Sequence, residues 1–134
     1  AGIFTAAVAD MTPSSQSGKK LKKNNLKSSI DLDKTKDILA TLGEKKGSKL
    51  IVGFAAETEN LLENATRKCQ KKNCDLVVAN CISQENPAFS QDHNEVLLVN
   101  PDGSFDEIAR SSKKKIAETL ANKLKSLLMK NQVN

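Results

Sequence analysis

Lys49-Leu50-Ile51-Val52-Gly53-Phe54 and Asp75-Leu76-Val77-Val78-Ala79 are the two stretches that decide the fold. Each is a short apolar run, uncharged beyond its first residue, as suits a strand buried on both faces of a sheet. Between them Leu61, Leu62, Ala65 and Cys69 recur at helical spacing, which gives a helix one apolar face. Thr58 stands where a cap for that helix is expected. A strand, a helix and a strand joined by short links form a βαβ unit, whose strands lie parallel in one sheet.

Working outward, Gly2 to Ala9 carries no charge and predicts a buried parallel strand that delivers Asp10 at its carboxyl end. Met11 to Asn25, with Pro13, Gly18 and four lysines, reads as a long mobile loop. Leu26 to Leu32 alternates weakly, as a half-exposed strand does, and Thr35 is expected to cap a helix from Lys36 to Leu42 that stops at Gly43. On the other side, a polar loop from Asn80 to His93 precedes Glu95 to Val99, a turn at Pro101-Asp102-Gly103, and Ser104 to Ala109, the pattern of an antiparallel hairpin. A last helix starts near Ser111 or Ser112 and aligns Ile116, Leu120, Leu124, Leu127 and Leu128 to cover a sheet face. The predicted class is α/β: a parallel sheet flanked by helices, with an antiparallel hairpin and a long basic flap loop. No internal repeat is visible, which excludes solenoids.

Composition narrows the function. With 38% apolar residues in 134, the chain can build one core. No stretch approaches the roughly 20 apolar residues that span a bilayer, and no basic residues precede the apolar opening as in a signal peptide. A soluble, cytoplasmic domain without a membrane partner is expected, with Cys69, Cys74 and Cys81 reduced. These cysteines lack paired zinc spacing and His93 is the only histidine, so no protein metal site is expected. The net charge of +5 lies entirely within residues 1–49, which points to a polyanionic partner. Nucleic acid is disfavoured, because no Tyr or Trp is present to stack bases and no arginine precedes Arg67. A nucleotide or an anionic metabolite fits better.

Ligands of open α/β sheets lie beyond the carboxyl ends of the parallel strands. That rule gathers Asp10, the segment Phe54-Ala55-Ala56-Glu57, and Asn80. Lys19-Lys20-Leu21-Lys22-Lys23 follows the aspartate closely and suits either a solvated loop or a phosphate-covering lid. Lys68 and Lys72 are four apart on one helix face and can reach one polyphosphate, although spacing alone fits a solvated face at least as well. Asp10 suits a ribose hydroxyl, a base or Mg²⁺, or simply starts the loop. No Walker motif, no G-x-G-x-x-G and no nucleophile arrangement is present.

Five ordered blocks, Ala6-Ala7-Val8-Ala9-Asp10-Met11-Thr12-Pro13, Lys20-Leu21-Lys22-Lys23, Asp37-Ile38-Leu39, Val52-Gly53-Phe54-Ala55-Ala56-Glu57-Thr58 and Asp75-Leu76-Val77-Val78-Ala79-Asn80, resemble bacterial phosphopantothenate–cysteine ligase. That family, also called phosphopantothenoylcysteine synthetase, is often the C-terminal part of a bifunctional coenzyme A biosynthesis protein. The resemblance implies a Rossmann-like sheet and a CTP-dependent ligation. In it 4′-phosphopantothenate attacks CTP to give an acyl-cytidylate and pyrophosphate, and cysteine then displaces CMP. It implies nucleotide contacts at Phe4, Thr5, Ala6, Asp10, Lys20, Lys36, Asp37, Ile38, Leu39, Phe54, Lys68 and Lys72, with Lys20 in the flap as the residue acting in the chemistry. Thr35-Lys36 stands where the family often has Asn-Pro.

The resemblance further implies Mg²⁺ with CTP, a homodimer, and FMN only in a separate phosphopantothenoylcysteine decarboxylase domain to which such chains are fused. Residues 1–134 are then the C-terminal portion of a single ligase domain, with its flap at about 11–25 and its glycine- and threonine-rich N-terminal portion missing. Such a fragment is expected to be inactive alone. The readings from other classes are a non-catalytic nucleotide-binding module and a small basic nucleic-acid-binding protein.

Overall fold

The computed structural model describes residues 1–20, 22, 29–82 and 92–131. They form two compact units, one of Ala1–Thr5 with Leu39–Asn134 and one of Ala6–Ile38. The larger unit holds a five-stranded sheet of β1 (Gly2–Phe4), β4 (Ile51–Glu57), β5 (Leu76–Cys81), β6 (His93–Val99) and β7 (Phe105–Ser112), in that spatial order. β1, β4 and β5 are parallel, while β6 and β7 run antiparallel as the predicted hairpin. The sheet is thus mixed, parallel on one side of β5 and antiparallel on the other.

Alternation along the strands sends side chains to two faces. On one, Ile51, Ala55, Val77, Ala79 and Val99 pack with Ala65 and Cys69 of α2 (Leu61–Lys71). On the other, Val52, Leu76, Val78, Val96 and Leu98 pack with Ile116, Leu120 and Leu124 of α3 (Lys113–Asn131). The predicted βαβ unit, hairpin and covering helix are all present, and Ser112 Oγ accepts the Lys115 N–H at the start of α3. Leu128 departs from its predicted stripe and is exposed, because the helix extends past the sheet-facing residues that end with Leu127. Among the described residues no helix is long and apolar enough to cross a membrane.

The link into β5 is fastened by Asp75, whose carboxylate accepts the Ile51 N–H and the Lys46 ammonium, each at 2.8 Å. Hydrogen bonds to a charged group contribute about 1.5–3 kcal/mol. Asp75→Ala is therefore expected to lower the urea midpoint by an amount equivalent to about 2 kcal/mol; an unchanged midpoint would mean that water replaces the carboxylate without loss.

Several sequence expectations need correction. The first strand covers only Gly2–Phe4 and forms the sheet edge, with Ile3 50% exposed. The small residues Ala6 to Ala9 are apolar without being buried, and they belong to the smaller unit. The loop expected over Met11–Asn25 begins as a strand, β2 (Met11–Pro13), which pairs antiparallel with β3 (Leu32–Lys34). Both strands are exposed, so no apolar alternation betrays them. Of the strand expected over Leu26–Leu32, Leu32 falls in β3 while residues 29–31 do not; residues 21 and 23–28, Lys23 and Leu26 among them, lie outside the described residues.

Helix α1 covers Ile38–Glu44 rather than starting at Lys36, and it runs through Gly43. Thr35 does not cap it: its hydroxyl donates to Ala9 O at 2.6 Å, and its N–H donates to Asp10 O at 2.9 Å. Nor does Thr58 cap α2. Asn60 occupies that place in the left-handed conformation at φ 49, without a side-chain cap bond.

Candidate functional site

The site grows out of the place where β1 ends. Its last register pair with β4 is Phe4↔Gly53, after which the chain leaves the sheet at Thr5. Main-chain groups alternate sides along a strand. Ile51 O accepts Asp75 N–H and Glu57 O accepts Ile82 N–H, so these residues bond toward β5. By the same parity Phe54 and Ala56 bond toward β1, beyond the point where β1 has stopped. The Phe54 carbonyl accepts instead from Lys68 Nζ, at 2.7 Å and half-buried.

Around this point the fold gathers several of the residues expected to contact nucleotide. Phe4 and Leu39 pack on the same core face as α2. A Cβ built on Gly53 would lie 2.9 Å from Leu39 Cδ2, so the glycine lets α1 close onto β4. Lys72 caps the C-terminus of α2 and its N–H donates to Lys68 O at 3.0 Å. Thr5 is exposed just past the strand. The Phe54 ring, however, packs with Val52 and Val78 on the α3 face. It lies across the sheet from α2, and Lys68 meets Phe54 at the main-chain carbonyl.

In the smaller unit, the two bonds from Thr35 hold Ala9-Asp10 beside Thr35-Lys36. Asp10, Lys36 and Asp37 therefore stand together at the base of the β2–β3 ribbon, and all three are exposed. Asp10 opens β2 rather than closing β1. Ala6 and Ile38 are exposed at the two ends of this unit. Lys20 is exposed in the connection between the ribbon's strands, as is Lys22.

Asn80 has a place in the sequence reading but no role there. It pairs in register with Ala56 and shares the α3 face with Val78 and the Phe54 ring by strand alternation. Among the described residues its Oδ1 is buried without a hydrogen-bond partner, an arrangement that proteins seldom leave uncompensated. The available signal was an asparagine closing an otherwise apolar strand.

The thiols beneath this region are inert. Burial, with Cys74 and Asp75 adding to it, pushes Cys69 from 9.0 up to about 12. Burial also raises Cys74, against the opposing pull of the Lys46, Lys68 and Lys72 ammonium groups. Both are neutral thiols at physiological pH, unsuited to nucleophilic chemistry. Among the described residues no three His, Cys, Asp or Glu side chains converge on a metal position, so a resident Mg²⁺ cage does not fit them. A cavity of about 40 Å³ beside Leu61, Cys81, Glu95 and Leu97 has room only for water.

Residues 1–128 match the family described as the DNA/pantothenate metabolism flavoprotein C-terminal domain. The chain belongs to that family. Among curated relatives of this family, it is 38% identical over 125 residues to the coenzyme A biosynthesis bifunctional protein CoaBC of Bacillus subtilis strain 168, covering 93% of this chain and 31% of that protein. It is 35% identical over 127 residues to a cysteine/cysteine sulfinic acid decarboxylase of an unknown prokaryotic organism, covering 94% of this chain and 35% of the relative. The chain thus spans about a third of the length of these curated relatives. A crystal structure of the C-terminal domain of a CoaBC protein superposes with a TM-score of 0.72 at 35% identity, covering 94% of this chain and 53% of that one.

Proposed function

We propose that this chain supplies much of the nucleotide site of a CTP-dependent ligase of coenzyme A biosynthesis. Membership of the family, with relatives named as coenzyme A biosynthesis proteins, is the observation that carries this reading. A carboxylate oxygen of 4′-phosphopantothenate attacks the α-phosphorus of CTP, forming the acyl-cytidylate and expelling pyrophosphate. The cysteine amine then attacks the acyl carbon, CMP leaves, and the amine gives up a proton. The products are 4′-phosphopantothenoylcysteine, CMP and pyrophosphate.

An anionic nucleophile approaching a triphosphate needs positive charge close by. Lys68 and Lys72 provide it from the end of α2, and Lys20 brings a further ammonium from the flap. Lys20 also helps keep water from an acyl-cytidylate that would otherwise hydrolyse. The Phe54 ring offers a face to the base, and Asn80 Oδ1 an acceptor for an amino group on it. Asp10 receives a ribose hydroxyl, while Phe4, Thr5, Ala6 and the segment Lys36 to Leu39 complete the nucleotide contacts. Any Mg²⁺ arrives with the triphosphate, the usual habit of that ion.

Residues 1–134 act as the C-terminal portion of a single ligase domain in a longer cytoplasmic protein. That protein forms a homodimer and is fused to a decarboxylase domain in its bifunctional form. The rest of the ligase domain completes the phosphopantothenate site, so the chain alone does not turn over.

The relative named as a decarboxylase sets the competing possibility, and loss of CO₂ requires no nucleotide. In a longer protein carrying this region, CMP release from CTP is expected only when 4′-phosphopantothenate and cysteine are both present. CO₂ release without nucleotide, and no CMP, would overturn the ligase reading.

A further inference from the structure

The Lys68 ammonium is already engaged before any anion arrives. It bonds the Phe54 carbonyl at 2.7 Å, on the side of β4 where β1 would lie if it continued past Phe4↔Gly53. A longer β1 would offer a main-chain N–H there. The chain leaves at Thr5 instead, and a side chain from the last turn of α2 takes over the duty of that N–H.

We infer that Lys68 is a two-position residue: without nucleotide it holds the Phe54 peptide, and phosphate draws its ammonium away, freeing the carbonyl at the open edge of β4. This inference rests on the nucleotide reading and deepens it. A phosphate oxygen carries full charge and a peptide carbonyl does not, so the phosphate is the stronger acceptor for the ammonium. The exchange links the two ends of one ligand. Lys68 on the α2 face answers to the phosphates, while the peptide it releases belongs to Phe54, whose ring lies on the α3 face. Lys68 is thus a positioning residue for Phe54 as well as a phosphate contact.

The test is the carbonyl-carbon NMR resonance of Phe54 in the 134-residue chain, titrated separately with pyrophosphate and with CTP while calorimetry follows binding. In the unsubstituted chain the resonance is expected to move upfield as either ligand saturates, because the carbonyl loses its donor. In Lys68→Met it should start upfield and stay there. Saturable binding that leaves the Phe54 carbonyl unmoved in the unsubstituted chain would overturn the inference and leave the nucleotide reading intact. Absence of binding by both ligands would overturn the nucleotide reading, and the inference with it.

Discussion

Lys20→Ala, made in the longer protein that carries this region, is expected to slow ligation about 100- to 1,000-fold while CTP affinity changes by less than about threefold. The asymmetry follows from where the lysine sits. Lys20 is exposed in the connection between β2 and β3, in a unit where none of the described residues is buried. An exposed, highly charged segment contributes little to ground-state binding, because its charge is already solvated by water. It becomes valuable when it closes over a reaction whose charge is changing, as a carboxylate meets a phosphate and pyrophosphate departs. Steady-state rates for CMP formation, set against the dissociation constant for CTP, separate the two effects. Equal loss of rate and of affinity would make Lys20 an ordinary binding residue.

Gly43→Ala is expected to destabilise the larger unit by about 2 kcal/mol or more, despite improving the intrinsic helix propensity of α1 by about 1 kcal/mol. A Cβ at this position would lie 1.9 Å from the Lys72 carbonyl oxygen and 3.0 Å from its carbon. The obstacle is main chain, so no side-chain rotation can relieve it. Either α1 or the end of α2 must move, and the 2.9 Å bond from Asn73 Nδ2 to Gly43 O is disturbed as well. A melting-temperature decrease of roughly 5–10 °C should accompany the loss. Lys72 is the residue displaced, so nucleotide affinity should fall in parallel. A melting temperature that is unchanged or raised would show that helix propensity outweighs the contact.

Gly43 also illustrates what the sequence concealed. A glycine after an apolar helical stretch reads naturally as a helix stop, but here the missing side chain serves a close approach between α1 and α2. Burial against a distant main-chain atom has no local signature. β4, β5, the hairpin and α3 were legible because their apolar residues follow the periodicity of the element they form. Ala6 to Ala9 lengthen the apparent first strand because they are apolar in type yet exposed in fact. The β2–β3 ribbon was hidden for the opposite reason, since strands exposed on both faces carry no alternation.

The site shows the same division. Lys68 and Lys72 are legible as neighbours on one helix face from their spacing, and Phe54 from its place on the first strand of the βαβ unit. The bond from Lys68 to the Phe54 carbonyl is not, since every residue has a carbonyl and nothing in the sequence marks one left open by a neighbouring strand. Nor could a list of residues show that the Phe54 ring turns to the α3 face, whereas strand parity in the structure gives it directly. Asn80 is legible only as a polar residue after an apolar run, and an Oδ1 left without a partner among the described residues gives it a chemical character.

The central claim, that these residues hold much of a CTP site, is tested most directly by calorimetric titration of the folded 134-residue chain with CTP, with ATP as comparison, in the presence of Mg²⁺. Saturable binding that favours CTP, and is weakened about tenfold or more by Lys68→Ala, is the expected result. A chain that is folded by circular dichroism and melting yet binds neither nucleotide would contradict the claim.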